Sequence, residues 1–151
     1  MANMEIKTAG NPVLRQVAAK VGKIDKKIKK LLGDMADTMY AADGVGLAAP
    51  QIGVSLRVVV IDVGEGLLEL INPEILSMEG SCLNVEGCLS VPNFDGEVER
   101  AENVKLRYRD RNGKPFVIEA KGLLAIAIQH ELDHLDGVLF IDKASTLLPK
   151  S

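Results

Sequence analysis

Two histidines, His130 and His134, and two cysteines, Cys82 and Cys88, are the whole supply of imidazole and thiol in the 151-residue chain. Any site built on those groups must draw on these four. The histidines stand four apart in Gln129-His130-Glu131-Leu132-Asp133-His134. On a helix, positions i and i+4 share a face, so both imidazoles can reach one cation with Glu131 beside them. At this composition chance would produce such an H-E-x-x-H pentapeptide roughly 0.002 times in a chain of this length. The pattern reads as a metal site with Glu131 as proton carrier.

A catalytic ion needs a third protein ligand and an open position. No His, Cys or Glu follows His134, and Phe140 stands where the extended H-E-x-x-H-x-x-G-x-x-H motif would put a third His, although Gly137 fits it. Asp136 is too close on the same turn and Asp142 lies in a short tail, so the third ligand is expected upstream. The cysteines are the softest donors there. Cys88 lies in Glu86-Gly87-Cys88-Leu89-Ser90, where Gly87 lets backbone approach an ion and Leu89 offers an N–H beside it. Cys82, in Gly80-Ser81-Cys82-Leu83, has a similar setting. Context favours Cys88 and leaves Cys82 open; the cysteine that is not a ligand is expected to be a small, half-buried hydrophobe.

The motif needs a helix to carry it, and helical spacing runs from about Gly122 to Leu135 with Gly137 as the stop. An earlier helix is predicted from Asp25 as N-cap, with Ile28, Leu31, Leu32, Met35 and Met39 on one face, until Gly44 ends it. The lysines at 26–30 form its solvated face. Residues 1–24 read as an ordered extended arm, turned at Gly10-Asn11-Pro12 and anchored by Val13, Leu14, Val17 and Val21. A small-residue loop, 44–53, precedes a strand at 57–63. Further strands are predicted at 67–71, 75–78, 97–100, 104–108 and 116–119, with a hairpin turn at Asp110-Arg111-Asn112-Gly113. The expectation is one α+β domain, with mixed and antiparallel sheets around a central metal-binding helix.

Composition narrows the partners. Eighteen Lys and Arg against 21 Asp and Glu give a net charge of −3, and aromatic residues are 3% with no Trp. That excludes a general nucleic-acid surface, which favours excess positive charge and stacking rings. Two cysteines six apart suit a reducing compartment better than a disulfide framework. The N-terminus, Met1-Ala2-Asn3-Met4, lacks signal-peptide character, and Val58-Val59-Val60-Ile61, the strongest apolar run, is closed by Asp62. The chain reads as a soluble, cytoplasmic protein.

Three segments, Gly44-Val45-Gly46-Leu47-Ala48-Ala49-Pro50-Gln51, Glu86-Gly87-Cys88-Leu89-Ser90 and Gln129-His130-Glu131-Leu132-Asp133-His134-Leu135, occur in that order. Together they resemble the signatures of the peptide deformylases, over nearly the whole chain. The resemblance implies hydrolysis of the N-formyl group from the initiator Met of new polypeptides, with release of formate. It chooses Cys88 as the third metal ligand beside His130 and His134. It assigns the proton transfer to Glu131, and oxyanion stabilisation to the Gln51 amide and the Leu89 backbone N–H. The family's use of ferrous iron, alongside zinc, nickel or cobalt, suits one thiolate among the ligands.

By the same resemblance, Val45, Leu123, Ile126 and Ala127 line a slot for the Met side chain, Gly46 offers backbone hydrogen bonds to an extended peptide, and Glu86 with Arg100 braces the Cys-bearing strand. Two features depart from the family pattern. Asn84 stands where an apolar residue is common, and the chain stops at Pro149-Lys150-Ser151 where bacterial relatives commonly continue into a longer helix. The expected partners are N-formyl-Met nascent peptides, with transient contact at the ribosome, and neither membrane nor specific nucleic acid. The competing readings are a zinc peptidase cleaving internal bonds and a non-catalytic module whose ion Cys82 would help to enclose.

Overall fold

The computed structural model describes residues 4–149; the readings that fall on Met1–Asn3 and on Lys150-Ser151 lie outside them. Among the described residues two antiparallel sheets form. The larger contains β1 (Gly46–Ala48), β2 (Val58–Ile61), β3 (Leu68–Glu79), β6 (Asn103–Arg109) and β7 (Pro115–Lys121), in the order β1-β2-β3-β6-β7. The smaller contains β4 (Cys82–Cys88), β5 (Val91–Arg100) and β8 (Thr146–Pro149), with β5 central. Among the described residues every strand ladder is antiparallel, so the expected mixed sheet does not form, and parallel pairing is confined to one isolated bridge, Ala19 to Leu56.

Side-chain alternation explains where the two main helices lie. In β2, Val59 and Ile61 pack with Ala125, Ile128, Leu132 and Leu135 of α2 (Gly122–Leu135). Val58 and Val60 point the other way, onto Ile28, Leu32, Met35 and Met39 of α1 (Lys26–Ala41). A strand covered on both faces reads as a continuous apolar run, and all four residues of β2 are fully buried. Asp25 caps α1 as expected, accepting from the N–H groups of Lys27 and Ile28. Among the described residues no helix is long and apolar enough to cross a membrane.

The helix bearing the motif begins directly where β7 ends. Gly122 at φ +60° makes that turn in one residue, in a region that side-chain-bearing residues rarely enter. The expected bounds, 122–135, agree with the structure.

Several expectations need correction. The strands placed at 67–71 and 75–78 are one strand, β3. Asn72-Pro73 is a bulge within it: Asn72 takes φ +50°, the register shifts between Ile71 and Glu74, and the Asn72 amide bonds both backbone groups of Val21 at 2.8 Å. The 44–53 loop contains strand β1 and a 3-10 turn, Ala49–Ile52. Helix α1 stops at Ala41, and Asp43 at φ +56° turns the chain before Gly44. Strand β4 and the first half of β5 were missed, as were α3 (Phe140–Lys143) and β8. Leu14, Ala18 and Val21 anchor the N-terminal arm, but Val17 is 71% exposed.

Candidate metal centre

Helix α2 and the β4–β5 hairpin converge on the three expected ligands. One ligand atom each from Cys88, His130 and His134 lies within 4.8 Å of the others, with Cys88 Sγ 3.3 Å from His134 Nε2. Cys88 ends β4, next to the two-residue turn Leu89-Ser90, and pairs with Val91. Four residues of β5, Pro92 to Asp95, bulge out between the Cys88 pair and the Glu86–Gly96 pair. The thiol is thus held at a hairpin tip while both imidazoles come from one rigid helical face.

His130 Nδ1 lies 2.9 Å from Glu86 Oε1. Donation to that carboxylate places a proton on Nδ1, so that a cation can take the place of a proton on Nε2. Arg100 forks onto the same carboxylate, Nε to Oε2 at 2.8 Å and Nη2 to Oε1 at 2.9 Å, with both residues buried. Glu86 and Arg100 therefore form a buried brace and not a surface pair. Burial opposes the Glu86 charge, but hydrogen bonds from Arg100 and His130 outweigh it and lower its pKa to about 2.

The remaining electrostatics describe a site short of positive charge. Burial works against a charged His130, yet the neighbouring Cys88, Glu86 and Glu131 raise its pKa well above the ordinary value. Burial, then His130, pulls His134 down to about 3, so it stays a neutral lone-pair donor. Burial pushes Glu131 up to about 7, with His130 and Arg100 opposing. Among the described residues, Glu131 Oε1 and His134 Nδ1 are the buried side-chain polar atoms without a hydrogen-bond partner. Proteins leave few such groups unpaired. Both belong to one motif beside a thiol and two imidazoles, and that donor set fits a divalent ion with room for water.

The first motif closes the site from the other side. Gln51 is 1% exposed; its Oε1 accepts from the Ala48 N–H at 2.9 Å, and its Nε2 donates to Ser90 Oγ at 3.2 Å and toward Cys88 Sγ at 3.6 Å. Gly46 packs against Glu131 so tightly that a Cβ there would sit 2.5 Å from Oε2. A cleft of about 470 Å³ opens over these groups, and Val45, Gly46, Gln51, Leu89, Leu123, Ile126, Ala127, His130 and Glu131 all line it. Asn84 lines it too, with its Nδ2 turned to Cys82 Sγ at 3.2 Å. Cys82 stands outside the ligand group, and no described residue adds a fourth protein ligand.

Sequence reasoning missed three participants. Ser90 is fully buried, accepts from Gln51 and donates its N–H to Cys88 Sγ at 3.4 Å. Gln129 clamps the backbone of Ala101 from both sides at 2.9 Å. Asp133 accepts from Arg100 Nη1 at 2.7 Å. All three lie inside quoted motifs, and the three-residue step from His130 to Asp133 was the available signal.

A family model described as Polypeptide deformylase matches residues 3–150. The chain belongs to the peptide deformylase family. It is 57% identical over 143 residues to a peptide deformylase of Acetivibrio thermocellus, covering 95% of this chain and 84% of that one. With that of Carboxydothermus hydrogenoformans it shares 54% over 150 residues, 99% of each. The crystal structure of the Thermotoga maritima peptide deformylase superposes with a TM-score of 0.94 at 45% identity, covering 97% of this chain and 100% of that one. That from Synechococcus elongatus, in complex with actinonin, gives 0.92 at 46% identity, covering 95% and 79%. The protein is thus a metal-dependent hydrolase of a formamide bond, removing the N-formyl group from new polypeptides.

Proposed function

We propose that Cys88, His130 and His134 hold one divalent ion, that Glu131 moves the proton, and that residues 1–151 act as one domain. The observation carrying this reading is the convergence of three ligand atoms within 4.8 Å beside the unpartnered Glu131 Oε1. One thiolate with two imidazoles suits a borderline-soft ion, with Fe2+ as the native metal and Zn2+, Ni2+ or Co2+ as substitutes. When bound, the ion supplies Lewis acidity toward water and the formyl oxygen.

The side chains divide the remaining work. Glu131 takes a proton from the attacking water and returns it to the leaving amine. The Gln51 amide and the Leu89 N–H donate to the oxygen on which negative charge develops. Burial of Gln51 beside the Cys88 sulfur supports its part. Leu123, Ile126, Ala127 and Val45 receive the Met side chain, and Gly46 offers its backbone to the extended peptide. Val45 and Leu123 are 45% and 56% exposed, as rim residues awaiting a ligand would be. The substrate is the formyl-Met end of a nascent chain, met in the cytoplasm, with transient ribosome contact.

Matched formyl-Met and acetyl-Met peptides test this reading. Formate release from the first with negligible turnover of the second is expected, because the extra methyl of the acetyl group needs space beside the ion. Equal turnover of both would overturn it.

A further inference from the structure

The brace around His130 does not end at Arg100. Arg100 Nη1 donates to Asp133 Oδ2 at 2.7 Å, and Asp133 Oδ1 lies 3.1 Å from Lys143 Nζ. Asp133 and His130 are three positions apart on α2, so the chain of contacts returns to the helix it left. It runs from His130 on α2 to Glu86 on β4, to Arg100 on β5, and back to Asp133 on α2. The Arg100 side chain is 2% exposed, that of Glu86 7% and that of Asp133 18%, so solvent screens this circuit little.

We infer that Asp133 is a positioning residue for the metal site, fixing the β4–β5 hairpin along α2 and so the reach of Cys88 toward His130 and His134. The inference rests on the ligand assignment above. Glu86 orients the His130 ring and Gln129 holds the backbone of Ala101 beside Arg100, but neither fixes the direction of the Arg100 guanidinium against α2. Only the bond to Asp133 ties that guanidinium to the helix. A planar guanidinium with two parallel N–H groups on Glu86 and a third, on another edge, on Asp133 has one place to lie. The hairpin carrying Cys88 at its tip is therefore registered against the two imidazoles. Lys143 is 47% exposed and completes the Asp133 carboxylate from the solvent side.

The test compares wild type, Asp133→Asn, Asp133→Glu, Glu86→Gln and the double variant Glu86→Gln/Asp133→Asn, each loaded with Co2+. Metal release to a chelator, the thiolate-to-cobalt absorption band and kcat against KM are measured. Asp133→Asn is expected to release cobalt about tenfold faster, shift the absorption band and lower kcat with KM little changed. Asp133→Glu should recover part of each effect. The double variant should be no worse than Glu86→Gln, since both changes cut one circuit. An Asp133→Asn protein of lowered melting temperature but wild-type cobalt release and absorption would overturn the inference, reducing Asp133 to a structural ion pair. So would additive effects in the double variant. A wild-type protein that bound no cobalt would overturn the ligand assignment and this inference together, which separates the two failures.

Discussion

Glu131 is a buried carboxylate with an unpartnered oxygen, on the helix that carries both imidazoles and packed against the backbone of Gly46. Glu131→Ala should keep the ion, since no ligand is lost, and lower kcat at least a hundredfold, in keeping with the contribution of a general base; metal analysis beside formate release checks both. The pH dependence follows from the same burial. Burial raises Glu131 from 4.5 to about 7, while a cation beside it favours the charged form and acts downward. The working form is the carboxylate, so kcat/KM should rise with pH along a limb between about 4.5 and about 7 and level above it. In the proposed mechanism Gln51 donates to the developing oxyanion. Gln51→Ala should cost about 10²–10³ in kcat with metal content unchanged. Loss of metal in parallel with rate would instead make Gln51 a support for Cys88.

At the level of elements, the site is a contact between α2, β1 and the β4–β5 hairpin. Gly46→Ala would drive a Cβ to 2.5 Å from Glu131 Oε2, displacing the carboxylate without removing it. The expected outcome is a large fall in kcat with the ion retained, and a crystal structure of the variant would show Glu131 displaced. How much was legible in the sequence depends on what each element's residues do. Helix α2 was found to the residue because periodicity, motif and glycine stop agree. Strand β4 was not, because Leu83 and Val85 are 61% and 62% exposed while Glu86 is buried, which reverses the usual alternation. Pro92, Asn93, Asp95 and Gly96 break the strand pattern over the first half of β5; the bulge takes up Pro92 to Asp95, Gly96 pairs with Glu86, and β8 pairs along the edge. Local context leans to Cys88, but only the family resemblance decides against Cys82, since the reach from hairpin tip to helix is a tertiary distance. Asp133 was visible as a motif residue, but its partner Arg100 is 33 positions away.

On the scale of the whole molecule, the ion would join two bodies of structure. Cys88 belongs to the small sheet, with its own cluster of Leu14, Val91, Val98, Leu139 and Phe140, while His130 and His134 ride on the helix packed against the large one. Chelation should therefore lower the melting temperature as well as abolish turnover, because a ligand that binds only the folded chain stabilises it by mass action. Calorimetry with and without the ion measures the shift; an unchanged melting temperature would mean the two bodies are already locked without it. The metal assignment is tested most directly by one anaerobic titration, in which Fe2+ is added to metal-free protein while formate release from a formyl-Met peptide is followed. Activity should rise linearly and stop at one ion per chain. Formate release before any ion is added, or a rise indifferent to loss of Cys88, would contradict it.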